Sequence, residues 1–509
     1  MVAPFLAIAA HPVALASFEY MVVALQTEMG FSSDQANALT LVPAAASLLV
    51  MFVAGSLGDH LGHRRVMVAG AVLYCAGAVL AAVAPNLVAI LAARALGGIG
   101  ASVLTIIGLA VVNEAFTEPA ARARVYGAFA ALTPAVFILT PPVAAALADS
   151  VGWRAVPVLW LVLGVATSLL ALRVVPGGTS ARKGREELLT PILAGLALTG
   201  IAMAVVLWAS DAALALASLA IGMVALAVLV VLLRRAAAGH GRPPSLDLRI
   251  VRKPWVWLLL VALLVATMPN LFFFTNLLLQ YRYAESLTTI ALLLIVPQLA
   301  AVAGGLASGQ ISARIGARAT AVLALGMAAA TSLGTLLVRP ESPVWVPVAA
   351  LALCAAPIAG AAGPLTESVM DLAPADGSGA ASSLRDALWN LGGTIGSVLI
   401  GTLGFVTFEK RLAALLNSTS LDTGQADAIA AEIRNGAVVA DLAAGPQVSD
   451  PAVREMLTGG AQGLLEAQSL GFSVVGVVSS AVYALAAVLL VVFIRRSRAA
   501  GVQRSLAGQ

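Results

Sequence analysis

Charge is scarce in this sequence. Asp, Glu, Lys and Arg make up 11% of its 509 residues, against about 25% in an ordinary soluble domain. Hydrophobic types reach 60% and the mean hydropathy is +0.98. That excludes a soluble fold, because no core of this size hides so much apolar surface, whereas lipid solvates it. Lysine is almost missing, occurring only as Lys183, Lys253 and Lys410, so arginine carries nearly all the positive charge. The net charge of +4 is small and dispersed, which argues against a nucleic-acid partner. Cysteine is limited to Cys75 and Cys354, both inside apolar runs, so a structural disulfide is not expected. No Lys or Arg precedes Arg64. A cleavable signal peptide needs a basic start, so the apolar N-terminus reads as a first span retained in the mature protein.

Motifs of catalysis are missing too. There is no G-x-x-x-x-G-K-[ST], no HExxH, no CxxC and no G-x-S-x-G. An ATP motor, a zinc hydrolase and an acyl-transfer enzyme are thereby excluded. The expectation is a non-enzyme without metal or organic cofactor, and substrate movement, if that is its function, draws on an ion gradient.

What is present is a series of apolar runs. A spanning helix takes ~20 residues, and fourteen segments qualify: 4–25, 36–57, 66–84, 87–112, 125–148, 154–175, 191–209, 212–233, 254–280, 288–310, 319–337, 344–370, 381–406 and 471–494. Arginine and lysine fix the expected orientation. With both termini cytoplasmic, inside loops hold Arg64, Arg65, Arg122, Arg124, Arg314 and Arg318 among many others. Short outside loops hold only Arg154, Arg282 and Arg339. A basic linker at 234–253 includes a short amphipathic stretch, Pro244 to Pro254, suited to an anionic lipid surface. Residues 407–470 are polar and expected outside, as an inert insertion or a lid.

An internal repeat sets the domain plan. Gly55-Ser-Leu-Gly-Asp-His-Leu-Gly-His-Arg64 follows the second span, and Gly309-Gln-Ile-Ser-Ala-Arg-Ile-Gly-Ala-Arg318 follows the tenth. Gly55 matches Gly309, Gly62 matches Gly316, and Arg64 matches Arg318. The second and tenth spans correspond only if two helices are inserted between six-helix halves. The expected division is a six-helix bundle at 1–175, an inserted pair with linkers at 176–253, a second bundle at 254–494 and a tail at 495–509.

The first copy of the repeat, with Gly55, Gly58, Asp59, Gly62, Arg64 and Arg65, resembles the signature loop G-x-L-a-D-r-x-G-r-[RK]-[RK] of the major facilitator superfamily. Arg94-Ala-Leu-Gly-Gly-Ile-Gly100 is similar to its fourth-span motif. The run from Phe116 to Trp153-Arg154, and Gly379 to Gly393, are similar to the fourteen-span drug:proton antiporters (QacA/EmrB type). The resemblance implies an all-α polytopic membrane protein with the major facilitator fold, 6+2+6 = 14 transmembrane helices, in a bacterial cytoplasmic membrane. It implies a monomer exporting amphipathic, lipophilic, cationic drugs against protons by alternating access. Two alternatives stand beside it: a selective exporter of one antibiotic or endogenous metabolite, and a non-transporting sensor or scaffold. The departures are local. The fifth-span motif G-P-x-x-G-G reads Thr140-Pro-Pro-Val-Ala-Ala145, keeping Pro141. In the first span Ser17 stands at the family's acid, with Glu19 two residues on.

Charges inside spans are functional by default, because each is costly in lipid. Asp386 aligns with an acid the family uses for protons or cationic substrates, with Arg385 beside it as a competing partner. Glu19, Glu367 and Arg94 complete the candidate coupling set. Asn270, Phe273, Asn276, Trp389 and Asn390 are the candidate pocket lining. His60 and His63 take positions where the family prefers Arg and read as tolerated basic substitutions.

Overall fold

The structure is a computed structural model. It describes residues 2–29, 33–177, 188–208, 211–238, 253–281, 283, 287–373, 377–416 and 462–507. Among the described residues every regular element is helical. Helices are the natural outcome in lipid, where each backbone N–H and C=O must be met within its own segment.

The helices are α1 (Val2–Met29), α2 (Ser33–Leu61), α3 (His63–Val83), α4 (Leu87–Ala115), α5 (Pro119–Ser150) and α6 (Val158–Val174). They continue with α7 (Leu189–Leu207), α8 (Ala212–Ala237), α9 (Val256–Ala266), α10 (Leu271–Tyr281) and α11 (Leu287–Ile315). The last are α12 (Ala317–Ser332), α13 (Trp345–Met370), α14 (Ser378–Leu416) and α15 (Gln462–Ala507). Thirteen stretches are long and apolar enough to cross a membrane over described residues, and α1 adds a shorter one, Val2–Phe18. With α9 and α10 as one broken span, the described residues make fourteen passes, so α1 begins and α15 ends at one face of the bundle.

The sequence predicts the ninth span as continuous, and the structure breaks it after Ala266. Pro269 is the cause: it lacks an N–H and pushes the preceding residue out of the helical region. Asn270 then starts the second half by accepting the Phe273 N–H at 3.3 Å. α14 and α15 extend well past their apolar runs, to Leu416 and from Gln462. The ends of the polar stretch 407–470 are thus helical; its middle, like the basic stretch 239–252, lies outside the described residues.

Two glycine turns carry the repeat into three dimensions. Gly62 caps α3 with φ 88°, and Gly316 caps α12 with φ 86°. That backbone region is open to glycine and strained for other residues.

Helices α1–α6 pack on one another, as do α9–α15, and the two groups meet chiefly through α5 on α11, α2 on α14 and α5 on α13. Small residues make these crossings tight. A Cβ on Gly127 would lie 2.6 Å from the Gly309 Cα, and one on Gly363 2.5 Å from the Tyr126 carbonyl oxygen. α7 lies against both α2 and α14, with α8 outside it. One apolar core draws on both groups: Val112, Tyr126 and Phe129 pack with Val369, Met370 and Ala381.

Candidate functional site

Polar residues converge at two levels: at the face bearing the chain ends, and deeper, between the two helix groups. At the face, Asp59 ends α2 and is buried, 4% exposed. Its Oδ1 accepts the Gly379 N–H at 2.8 Å and its Oδ2 the Ala380 N–H at 3.1 Å. Those are amides of the first turn of α14, which have no partner inside their own helix. A carboxylate there is held by two hydrogen bonds and by the positive helix end. Gly55, one turn earlier, lets α2 approach so closely that a Cβ would collide with Ser383 and the Gly379 carbonyl. Ser383 Oγ donates to the Met51 carbonyl at 2.8 Å. Gly58 makes room for Ile107 and His63.

His63 faces two acids. Its Nδ1 lies 3.1 Å from Glu114 Oε2 and its Nε2 3.7 Å from Asp59 Oδ1. Glu114 in turn accepts the Ser378 hydroxyl. Arg122, from the first turn of α5, pairs with Asp371 at 2.9 Å and donates to Asn113 at 2.6 Å. Tyr126 donates to the same Asn113 at 3.2 Å. Glu367 belongs to this level: it is 6% exposed, one turn before Asp371, and its Oε2 is buried without a hydrogen-bond partner. The described polar contacts between the two helix groups therefore gather at this face, and it is closed. Of the motif's arginines, Arg64 lies beside Gly177 and Arg65 is exposed.

The deeper level centres on α14. Asp386 is 9% exposed; Arg385 Nη1 lies 3.2 Å from its Oδ1, and Asn390 Nδ2 3.3 Å from its Oδ2. Arg385 is the partner the sequence left open. Its Nε donates to Thr366 at 3.0 Å, and its guanidinium lies over the Trp389 and Phe129 rings at 4.3 and 5.2 Å. Arg94 comes from α4, donates Nε to the Leu39 carbonyl at 3.1 Å, and lies over Phe18 at 3.7 Å and Trp160 at 5.7 Å. His11 of α1 is exposed.

The predicted residues thus separate. Trp389 and Asn390 join Asp386. Asn270 reaches α14 farther along, 3.5 Å from Ser397 Oγ, and Phe273 is exposed and edge-on to buried Phe274. Asn276 sits one turn farther on and is partly buried. Thr140 is buried in α5, which runs unbroken through Pro141. Glu19 lies in α1, with its side chain outside the described residues. Sequence reasoning missed Glu114, Asn113, Ser378 and Asp371, which left no signal.

Comparison with known proteins places this geometry. The family described as Major Facilitator Superfamily matches residues 5–397. Multidrug resistance protein Stp of Mycobacterium tuberculosis is 29% identical over 380 residues, 72% of this chain and 66% of its own length. Multidrug efflux pump LfrA of Mycolicibacterium smegmatis is 27% identical over 450 residues, 86% of this chain and 88% of its own. The crystal structure of a bacterial ferroportin homologue in an outward-facing state aligns over 97% of this chain and 98% of its own. The TM-score is 0.58 at 14% identity, a likeness of fold.

Proposed function

This chain belongs to the major facilitator superfamily, and on that footing we propose that it is a proton-coupled exporter of amphipathic, lipophilic drugs. It is a multi-pass protein of a bacterial plasma membrane, and its relatives Stp and LfrA carry multidrug resistance and multidrug efflux in their names. We place the arginine-rich face that bears both chain ends in the cytoplasm. The division at 1–175, 176–253 and 254–494 supplies two rocking bundles and an inserted pair. The protein works as a monomer in this reading.

The observation that carries it is the bond from Asp59 to the Gly379 and Ala380 amides. It joins the two bundles through hydrogen bonds that can be made in one state and broken in another, as alternating access requires. With it made, the inner face is shut. Asp386 is the carboxylate placed to carry the proton: it lies between the bundles with Arg385 and Asn390 as partners. Protonation weakens its hold on Arg385 and loosens the surface a substrate meets, so proton and substrate compete for the site and outward substrate release couples to inward proton entry. Glu367, with one buried oxygen unmet beside the Arg122–Asp371 pair, is a second carboxylate whose protonation bears on the inner face.

The test is efflux of a panel of lipophilic dyes from cells, with and without a protonophore, for wild type and Asp386→Asn. Efflux that collapses under both perturbations is the expected result. No efflux of any dye by well-expressed wild type overturns the multidrug reading in favour of a single dedicated substrate.

A further inference from the structure

At the face where α15 ends, a row of two cations and two aromatic rings runs from the start of α9, across α15, to the start of α12. Lys253 Nζ lies 5.3 Å from the centre of the Trp255 ring, and Trp255 lies 5.5 Å from the Phe493 ring. The Arg318 guanidinium lies over Phe493 at 5.2 Å. Phe493 is fully buried and Trp255 half-buried, while Lys253 is exposed and Arg318 half-buried. The rings therefore act as a floor that fixes the two cations. Such a contact holds a charge in place without cancelling it.

The backbone beneath both cations is fixed as well. The Lys253 carbonyl accepts the Val256 N–H at 2.9 Å, and the Gly316 carbonyl accepts the Thr320 N–H at 3.1 Å and its hydroxyl at 3.0 Å. Both cations stand at helix starts, where the backbone adds positive partial charge rather than offsetting theirs. Arg314, Arg495, Arg496 and Arg498 are exposed at the same face, on the ends of α11 and α15. The acids described at this face, Asp59, Glu114, Glu367 and Asp371, belong to the contact between the helix groups. Below the cations the surface is apolar. α15 packs on both α9 and α12, and it exposes Leu485 and Val488, at 51% and 58%. Arg495 follows Val488 by two turns and so ends the same stripe.

We infer that Lys253 and Arg318 hold the phosphate of an anionic phospholipid where α9, α12 and α15 meet. The guanidinium offers a phosphate two parallel hydrogen bonds and the ammonium a point charge. The acyl chains follow the apolar stripe of α15 below Arg495. That stripe, continuous with the cations, selects a lipid over a free phosphate. The inference goes beyond the exporter reading and needs only the placement of the chain in a membrane.

The test is native mass spectrometry of the full-length protein in detergent, titrated with phosphatidylglycerol or phosphatidylcholine of the same acyl chains. The first phosphatidylglycerol is expected to bind about tenfold more tightly than the first phosphatidylcholine, the scale of two cations on one headgroup. The double variant Lys253→Gln, Arg318→Gln is expected to erase that preference by weakening phosphatidylglycerol alone. Arg234→Gln with Arg235→Gln removes as much charge from the exposed end of α8 and is expected to change it less than about twofold. Lys253→Gln alone, at an exposed position, is expected to lose about threefold without lowering the melting temperature. Equal binding of the two lipids to wild type overturns the inference. Equal losses in the two double variants overturn it too, by making the preference a property of the whole face, as does an unchanged preference in Lys253→Gln. Displacement of phosphatidylglycerol by an equal concentration of soluble glycerol phosphate overturns the lipid as ligand. Each of these results leaves the exporter reading standing, since none measures transport.

Discussion

The two copies of the glycine motif make the same turn and serve different contacts. Gly62 and Gly316 hold φ 88° and 86° at matched positions. Gly55 and Gly309 each bring their helix into close contact with the opposite bundle, on α14 and α5 respectively. The copies keep only the two glycines and the final arginine, and one of their seven differences decides the contact: Asp59 in the first is Ala313 in the second. Asp59 caps α14 across the interface. The matching helix start, that of α5, is capped from within by Glu118, which accepts the Ala120 and Ala121 amides. The α2–α14 contact therefore holds a polar bond that can be broken, whereas the α5–α11 contact rests on backbone-close glycine packing that resists separation. In the proposed cycle the first serves as latch and the second as pivot. An internal repeat can thus conserve geometry while assigning the switching chemistry to a single copy.

Asp59→Ala is the largest expected disruption. Two hydrogen bonds to an ionised group contribute about 3 kcal/mol, so the closed inner face should lose population on the order of a hundredfold. Transport should fall accordingly, read as the initial rate of dye efflux at matched expression. Gly62→Ala and Gly316→Ala come next and should match each other, since each forces a side chain into the same strained region at about 1–3 kcal/mol. Melting temperatures in detergent check this, and a large inequality between the two would break the symmetry of the turns. Ala313→Asp should change transport less than about twofold, because the α5 amides it might address are already met by Glu118 and a surface charge far from a partner contributes little. Glu118→Ala should have the smallest effect, a slight lowering of melting temperature. Its two backbone hydrogen bonds hold the exposed Glu118 carboxyl below its ordinary 4.5. A depressed acid stabilises the fold fully above that value and loses the contribution as pH falls below it. The difference between wild type and Glu118→Ala should therefore vanish in acid.

The fold was largely legible in the sequence because lipid imposes a length and an apolar composition on every span. The turns at Gly62 and Gly316 follow from matching Gly55 to Gly309, the match on which the proposed inserted pair also rests. The break in the ninth span was written in Pro269 but hidden by apolar residues on both sides. The site was legible only where its chemistry is local. Arg385 and Asp386 are neighbours, so their pairing was open to view. The partner of Asp59 lies 320 residues away and offers backbone amides, which no residue type announces. Arg122 registered only as a marker of orientation, though Asp371 meets it across the interface. His63 read as a tolerated replacement for arginine, and the structure sets it between Asp59 and Glu114.

The claim that Asp59 latches the inner face is tested most directly by a distance across it. Leu61 and Ile315 are exposed at matched places, beside the two glycine turns and on opposite bundles. Spin labels on cysteines at those positions, with Cys75 and Cys354 replaced by serine, report the separation by pulsed electron resonance in nanodiscs. The account predicts a short distance dominating in wild type and a longer one dominating in Asp59→Ala. The same distribution in both proteins would contradict it.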